Sequence, residues 1–222
     1  MFFSDQAEGC EFGRAGAGSA AFRLVVEGIA LCILTALCVV VLGFRSGRFP
    51  SLKPTSDGFP DALAALCACP QAEERAWRYI VIHHSATTEG GAAAFARYHV
   101  FERGWGSLAY HFVIGNGTQT ADGEVEVGPR WRRQEAGAHS GVPEYNEYGI
   151  GICLVGDFTV QHPTELQMHS LEELVRHLMR RDRIPVQNVL GHRECPGAAT
   201  ECPGDNFPMD EFRRLVASPP ES

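Results

Sequence analysis

From Gly28 to Phe44 the chain reads GIALCILTALCVVVLGF, an uncharged run that extends back through Leu24, Val25 and Val26 with only Glu27 interrupting it. About 20 residues at 1.5 Å each cross a hydrocarbon layer of about 30 Å, so residues 24–44 are expected to form a transmembrane helix. The run is longer than the roughly 7–15 residues of a signal-peptide core, and no A-x-A cleavage site directly follows it. An uncleaved anchor is therefore expected rather than a leader that is removed. Residues 1–23, rich in Gly, Ala and Ser without a sustained period, read as a flexible leader. Residues 45–74, with four prolines and the Cys67-x-Cys69 pair, read as a linker.

The pattern changes after residue 74. Residues 79–82 (YIVI) form a short continuous apolar run, suited to a buried strand that ends in His83 and His84. A helix is expected over 91–103, with Phe95, Tyr98 and Phe101 on related turns. Strands follow at 110–114 (YHFVI), in the alternating stretch 124–127, at 149–155 (GIGICLV) and at 188–190 (NVL). Between the last two, Thr164 and Gln167 have capping-box spacing ahead of an apolar stripe of Leu171, Leu174, Val175 and Leu178. Strands alternating with helices predict an α/β domain over residues 75–216, a central mixed β-sheet flanked by α-helices, with 217–222 as a tail.

Composition narrows the function. The chain has 222 residues, room for one ordinary domain plus an appendage, and 45% hydrophobic content is that of a packed protein. Its net charge of −8, with Asp and Glu at 27 against Lys and Arg at 19, offers no basic footprint, so no nucleic-acid partner is expected. Eight cysteines are too sparse for a disulfide scaffold, and Cys32 and Cys38 lie inside the apolar run. Lys53 is the single lysine.

Three metal-ligand types fall at strand ends or in the loops after them: His83, His192 and Cys202. Two imidazoles and a thiolate leave a fourth position open, a sound set for a catalytic zinc. His83 and His84 are neighbours on a strand, so they point to opposite faces, and periodicity alone does not say which one enters a shared site. Cys195, in a His192-x-x-Cys195 spacing, is the competing thiolate. It is also free to pair with Cys67 or Cys69 in an oxidising compartment.

VIHHSAT around His83, AYHFVIGNGT around Tyr110, AGAHSGVPEYNEYGIGICLVGDF, and GHRECPGAATECPGDNF with His192 and Cys202 together resemble the zinc-dependent N-acetylmuramoyl-L-alanine amidases. That family includes amidase-type bacteriophage lysozymes and peptidoglycan recognition proteins. The resemblance covers residues 77–205 in order and implies an amidase/peptidoglycan recognition protein-like fold. It implies one Zn2+ held by His83, His192 and Cys202, and catalytic roles for Tyr110 and Thr200. The position of Thr200 is lysine or threonine in the family, and a chain whose one lysine is Lys53 can carry only the threonine form. Cys153 stands where some members have a catalytic glutamate, which excludes that base here.

The implied reaction is hydrolysis, by a zinc-activated water, of the amide between the lactyl group of N-acetylmuramic acid and L-alanine in peptidoglycan. The implied partners are peptidoglycan or muramyl peptides. His139 and Asn146 fall where the family lines its substrate groove, although a loop histidine without a ligand fits His139 as well. Trp131, between Arg130 and the Arg132–Arg133 pair, is a further substrate-contact candidate facing stem-peptide carboxylates, the other reading being a solvated charge run. His84 and His111 read as supporting or packing residues. The alternative from another class is a recognition module that binds muramyl peptides without cutting them, but members that only bind typically lack the cysteine ligand. A peptidoglycan substrate implies a single-pass cell-membrane protein with its domain on the extracytoplasmic side. The flanking charges lean slightly the other way, with Arg14 and Arg23 before the span and Arg45, Arg48 and Lys53 after it.

Overall fold

The structure is a computed structural model that describes residues 49–54 and 59–219. The chain divides into two units, Met1–Gly47 and Arg48–Ser222, and the described residues belong to the second. The expected leader and the membrane span at 24–44 lie outside the described residues. Among the described residues no helix is long and apolar enough to cross a membrane.

The strands are β1 (Ser51–Leu52), β2 (Tyr79–His84), β3 (Phe112–Ile114), β4 (Val125–Val127), β5 (Gly149–Leu154) and β6 (Val189–Gly191), joined in one sheet in the order β1-β4-β3-β5-β2-β6. The helices are α1 (Phe59–Cys67), α2 (Ala92–Phe101), α3 (Pro129–Arg133), α4 (Pro143–Tyr148), α5 (Glu165–Asp182) and α6 (Met209–Ala217). The sheet is mixed: β3, β5, β2 and β6 run parallel, while β4 pairs antiparallel with both β3 and β1. This is the α/β layering that the alternating pattern predicts, with strand ends shifted by a residue or two.

Register decides which side chains share a face. In the parallel pairing of β2 with β5, Val81 lies opposite Gly151 and His83 opposite Cys153, and Cys153 lies in turn opposite Val113 on β3. Ile80, Ile82, Phe112, Ile114, Ile150, Ile152 and Leu154 point the other way, into the main core. There they meet Leu171, Leu174, Val175 and Leu178 of α5 and Phe212 and Val216 of α6. Helix α5 begins at the expected capping box: the Gln167 backbone N–H donates to Thr164 Oγ1 at 3.0 Å, and the Thr164 N–H donates to Gln167 Oε1 at 3.1 Å. One face of the sheet thus carries the core, and the other carries His83.

The segment 45–74 is not a simple linker. Residues 51–52 add strand β1 to the sheet edge, and α1 sends Phe59, Leu63 and Cys67, spaced one helical turn apart, into the main core. The prolines that signal a linker sit around these elements or, as Pro60 does, in the first turn of α1, where a missing N–H costs nothing. Leu63→Ala is expected to lower the unfolding free energy by about 2–5 kcal/mol, the cost of a large-to-small change at a fully buried site. Urea melts of the full chain check this, and a loss below about 0.5 kcal/mol would show α1 to be dispensable.

Trp131 is also corrected by the fold. It is 0% exposed, stacks on Trp77 and packs at a tilt against Phe112, and its indole N–H donates to the Cys67 carbonyl at 3.0 Å, so it belongs to the core and not to a substrate surface. The arginines beside it divide: Arg130 donates to the Leu108 and Ala136 carbonyls, while Arg133 pairs with Glu135. Cys67, Cys69, Cys153, Cys195 and Cys202 are all free thiols, so Cys195 does not pair with Cys67 or Cys69.

Candidate metal centre and active site

The carboxyl ends of the parallel strands β2 and β6 lie side by side, the place where open α/β sheets gather their ligands. His83, at the end of β2, lies on the sheet face away from the main core, while His84 turns to the opposite face. There the Phe158 backbone N–H donates to His84 Nδ1 at 3.0 Å, and Asp157 lies 3.8 Å away. The choice that periodicity leaves open therefore falls to His83.

His192 follows β6 on a single 3-10 turn, His192–Glu194. That turn is tied down by Glu194, which accepts from the Gly191 N–H at 2.7 Å and from both Nη atoms of Arg213 on α6, at 2.6 and 3.0 Å. The bidentate Arg213–Glu194 pair ties the His192 turn to a helix. Cys202 arrives from the following loop. Its Sγ lies 3.7 Å from His83 Nδ1 and accepts the His84 backbone N–H at 3.4 Å.

One donor atom from each of His83, His192 and Cys202 lies within 4.8 Å of the other two. Ligand bonds of about 2.0–2.3 Å at tetrahedral angles put donors about 3.3–3.6 Å apart, so the three need only a small contraction to hold one zinc ion. Burial holds the His83 imidazole well below its usual range, with the charges of His139 and His192 acting the same way, and burial also lowers His192. Both rings are therefore neutral and keep a lone pair. Burial pushes the Cys202 thiol up to about 12, while the His84 N–H pulls the other way. A buried sulfur that is costly to ionise alone suits a site whose charge is balanced by a cation.

Cys195 stays out of this cluster. It is 2% exposed and packs with Val81 and Tyr145, its Sγ 3.9 Å from the Gly191 carbonyl oxygen.

Tyr110 sits beside the cluster, its ring centroid 5.3 Å from that of His83. Burial, reinforced by neighbouring Cys153 and Cys202, raises its phenol well above the usual range, so the hydroxyl keeps its proton. Thr200 is exposed at the rim, where its Oγ1 accepts the Cys202 N–H at 3.1 Å. A hydroxyl that accepts there still has its own proton to donate.

His139 and Asn146 are brought to the same region but face inward. Both ring nitrogens of His139 are engaged: Nδ1 lies 3.0 Å from His83 Nε2 and Nε2 lies 3.2 Å from the Gly149 carbonyl oxygen. Asn146 Oδ1 accepts the backbone N–H of His139 at 2.8 Å and of Ser140 at 2.9 Å. The Ser140 carbonyl oxygen lies 2.8 Å from His192 Nε2, a partner that sequence reasoning did not find. Gly149 and Gly151 were also missed, although glycines alternating along one face of a strand signal a close approach. A Cβ at Gly151 would collide with the His139 ring.

The family model described as N-acetylmuramoyl-L-alanine amidase matches residues 73–205. An N-acetylmuramoyl-L-alanine amidase of Sus scrofa is 30% identical over 139 residues, 57% of this chain and 21% of that protein. Peptidoglycan recognition protein 1 of Bos indicus is 33% identical over 155 residues, 66% of this chain and 75% of that protein. Among solved structures, N-acetylmuramoyl-L-alanine amidase LysC from Clostridium intestinale URNW superposes with a TM-score of 0.54 at 30% identity, covering 65% of this chain and 87% of that one. The chain spans about a fifth of the length of the mammalian amidases it matches, 21% and 17% for Sus scrofa and Homo sapiens. A family match over most of the folded unit, with an amidase of the same fold, shows that the chain belongs to the N-acetylmuramoyl-L-alanine amidase family.

Proposed function

We propose that this protein is a zinc-dependent hydrolase that cuts the amide between the lactyl group of N-acetylmuramic acid and L-alanine in peptidoglycan. The observation that carries this reading is the convergence of His83, His192 and Cys202, two imidazoles and a thiol, a three-donor set that leaves one position of a tetrahedral zinc to water or substrate. When bound there, zinc supplies an acidified water and a Lewis acid for the scissile carbonyl. The protein's own groups supply the rest. Tyr110, protonated and beside His83, hydrogen-bonds the developing tetrahedral centre. Thr200, its Oγ1 fixed by the Cys202 N–H, donates a hydrogen bond to the oxyanion, an interaction worth a few kcal/mol when well aimed.

Relatives named for peptidoglycan recognition keep a second reading in view, a module that binds muramyl peptides without cleaving them. The intact three-donor cluster favours cleavage, because recognition alone does not require it. The domain is proposed to lie on the extracytoplasmic side of a membrane, anchored through residues 24–44, since its substrate lies there.

Incubation of the full chain with zinc and a muramyl peptide is expected to release peptides with free L-alanine amino termini, and chelation to stop the release. Binding of the muramyl peptide without any such release would leave recognition as the function. The full chain is the right material, because a fragment beginning at residue 70 would lose the core residues Phe59, Leu63 and Cys67.

A further inference from the structure

The loop between α3 and α4 is built against the outer nitrogens of both histidine ligands. A carbonyl oxygen only accepts, so the contact of His139 Nε2 with the Gly149 carbonyl places a proton on that nitrogen. A neutral imidazole carries one proton, which makes His139 Nδ1 an acceptor. His83 Nε2, 3.0 Å away, must then donate, and His83 Nδ1 is left with a lone pair directed toward Cys202 Sγ. The next residue does the same for the second ligand: the Ser140 carbonyl accepts from His192 Nε2 and frees its Nδ1. Asn146 Oδ1 holds the two adjacent residues together by accepting both backbone N–H groups, and the Gly137 N–H donates to the Asn146 carbonyl at 2.8 Å. Gly137 and Gly151 leave room for the His139 ring, since a side chain at either position would run into it.

We propose that His139 is a positioning residue of the metal centre: seated on Gly151 and bonded to the Gly149 carbonyl, it fixes His83 in the tautomer that presents Nδ1 to the metal. The proposal rests on the reading of His83, His192 and Cys202 as zinc ligands. It replaces the groove role expected for His139, whose two ring nitrogens are spent inside the protein.

The tautomer is measured directly on the zinc-free full chain by long-range 1H–15N correlation of the histidine rings. The expected result is His83 and His139 both protonated at Nε2, and protonation of His83 at Nδ1 would overturn the proposal whatever any variant does. In the full chain, His139→Phe is expected to weaken zinc binding about 10–100-fold in a chelator competition, the usual cost of removing an outer-shell partner. His139→Gln, whose amide can donate to Gly149 and accept from His83, is expected to recover part of that loss. A purely structural role would treat the two variants alike. Zinc affinity within about threefold of wild type for His139→Phe would also overturn the proposal. Failure of the wild-type chain to bind zinc would instead overturn the metal reading beneath it, so the two failures are distinct.

Discussion

Cys202→Ser is expected to weaken zinc binding by about a hundredfold or more and to remove hydrolysis with it, while the fold survives. Apparent binding free energies on the order of 10–16 kcal/mol for four-ligand zinc sites put roughly 3 kcal/mol on each ligand, about two decades of affinity. Serine keeps the size of the side chain but not the chemistry, since its hydroxyl does not ionise under a cation as a thiol does. The decisive comparison is Cys195→Ser. Cys195 is packed against Val81 and Tyr145, outside the cluster, and its loss is expected to leave zinc affinity unchanged. Zinc titration of the three proteins against a competing chelator reads both outcomes. A Cys195→Ser protein that loses zinc, together with a Cys202→Ser protein that keeps it, would assign the thiolate to the wrong loop. Equal loss in both would point to a closed four-ligand site, in which zinc is structural and the hydrolase reading fails.

Two members of the His83, His192 and Cys202 cluster were legible in the sequence because each stands where a strong local pattern stops. YIVI ends in His83, NVL is followed by Gly191 and His192, and the resemblance supplies Cys202. Helix α5 was legible for a similar reason, its capping box and apolar stripe agreeing on one boundary and one face. The choice between His83 and His84 was different in kind. It depends on which face of the sheet packs on α5, and that is fixed by pairing between strands some 70 residues apart, such as His83 opposite Cys153. Helix α1 was hidden because only nine residues carry its pattern and prolines flank them, so the local signal of a linker outweighed three apolar positions whose value appears only on packing. The partners of His83 and His192 were the least legible: His192 bonds to the Ser140 backbone carbonyl, which carries no side-chain signature, and His83 bonds to His139, which is itself held by the Gly149 carbonyl.

Acid is expected to unfold the zinc-free chain in a window set by buried histidines. Burial lowers His111 from 6.5 to about 4, with Arg130 and Arg75 acting the same way; the Gly151 N–H donates to its Nδ1, and its Nε2 is bonded to the Glu135 carbonyl. Burial likewise lowers His99 from 6.5 to about 4, aided by Arg103 and Arg130, and the Ala109 N–H donates to its Nδ1. Above pH 7 both states are neutral and the shifts have no effect. As the pH falls below 6.5 the unfolded chain binds protons that the folded one refuses, so stability falls with pH and levels off only below about 4. By pH 5 each ring accounts for about 2 kcal/mol, and the pair for about 4 kcal/mol, a large share of a marginal total. Glu126 and Asp182, raised by burial, take up protons first in the folded state and act in the opposite direction, so the informative quantity is a difference. Urea melts of wild type and His111→Gln at pH 7.5, 6 and 5, with chelator present, supply it. The variant's stability is expected to fall about 2 kcal/mol less than wild type between pH 7.5 and 5, whatever its starting level, because one proton sink of the unfolded state is gone. Parallel losses in the two proteins would mean that His111 binds its proton as readily folded as unfolded, and the buried, doubly bonded ring described here would be wrong.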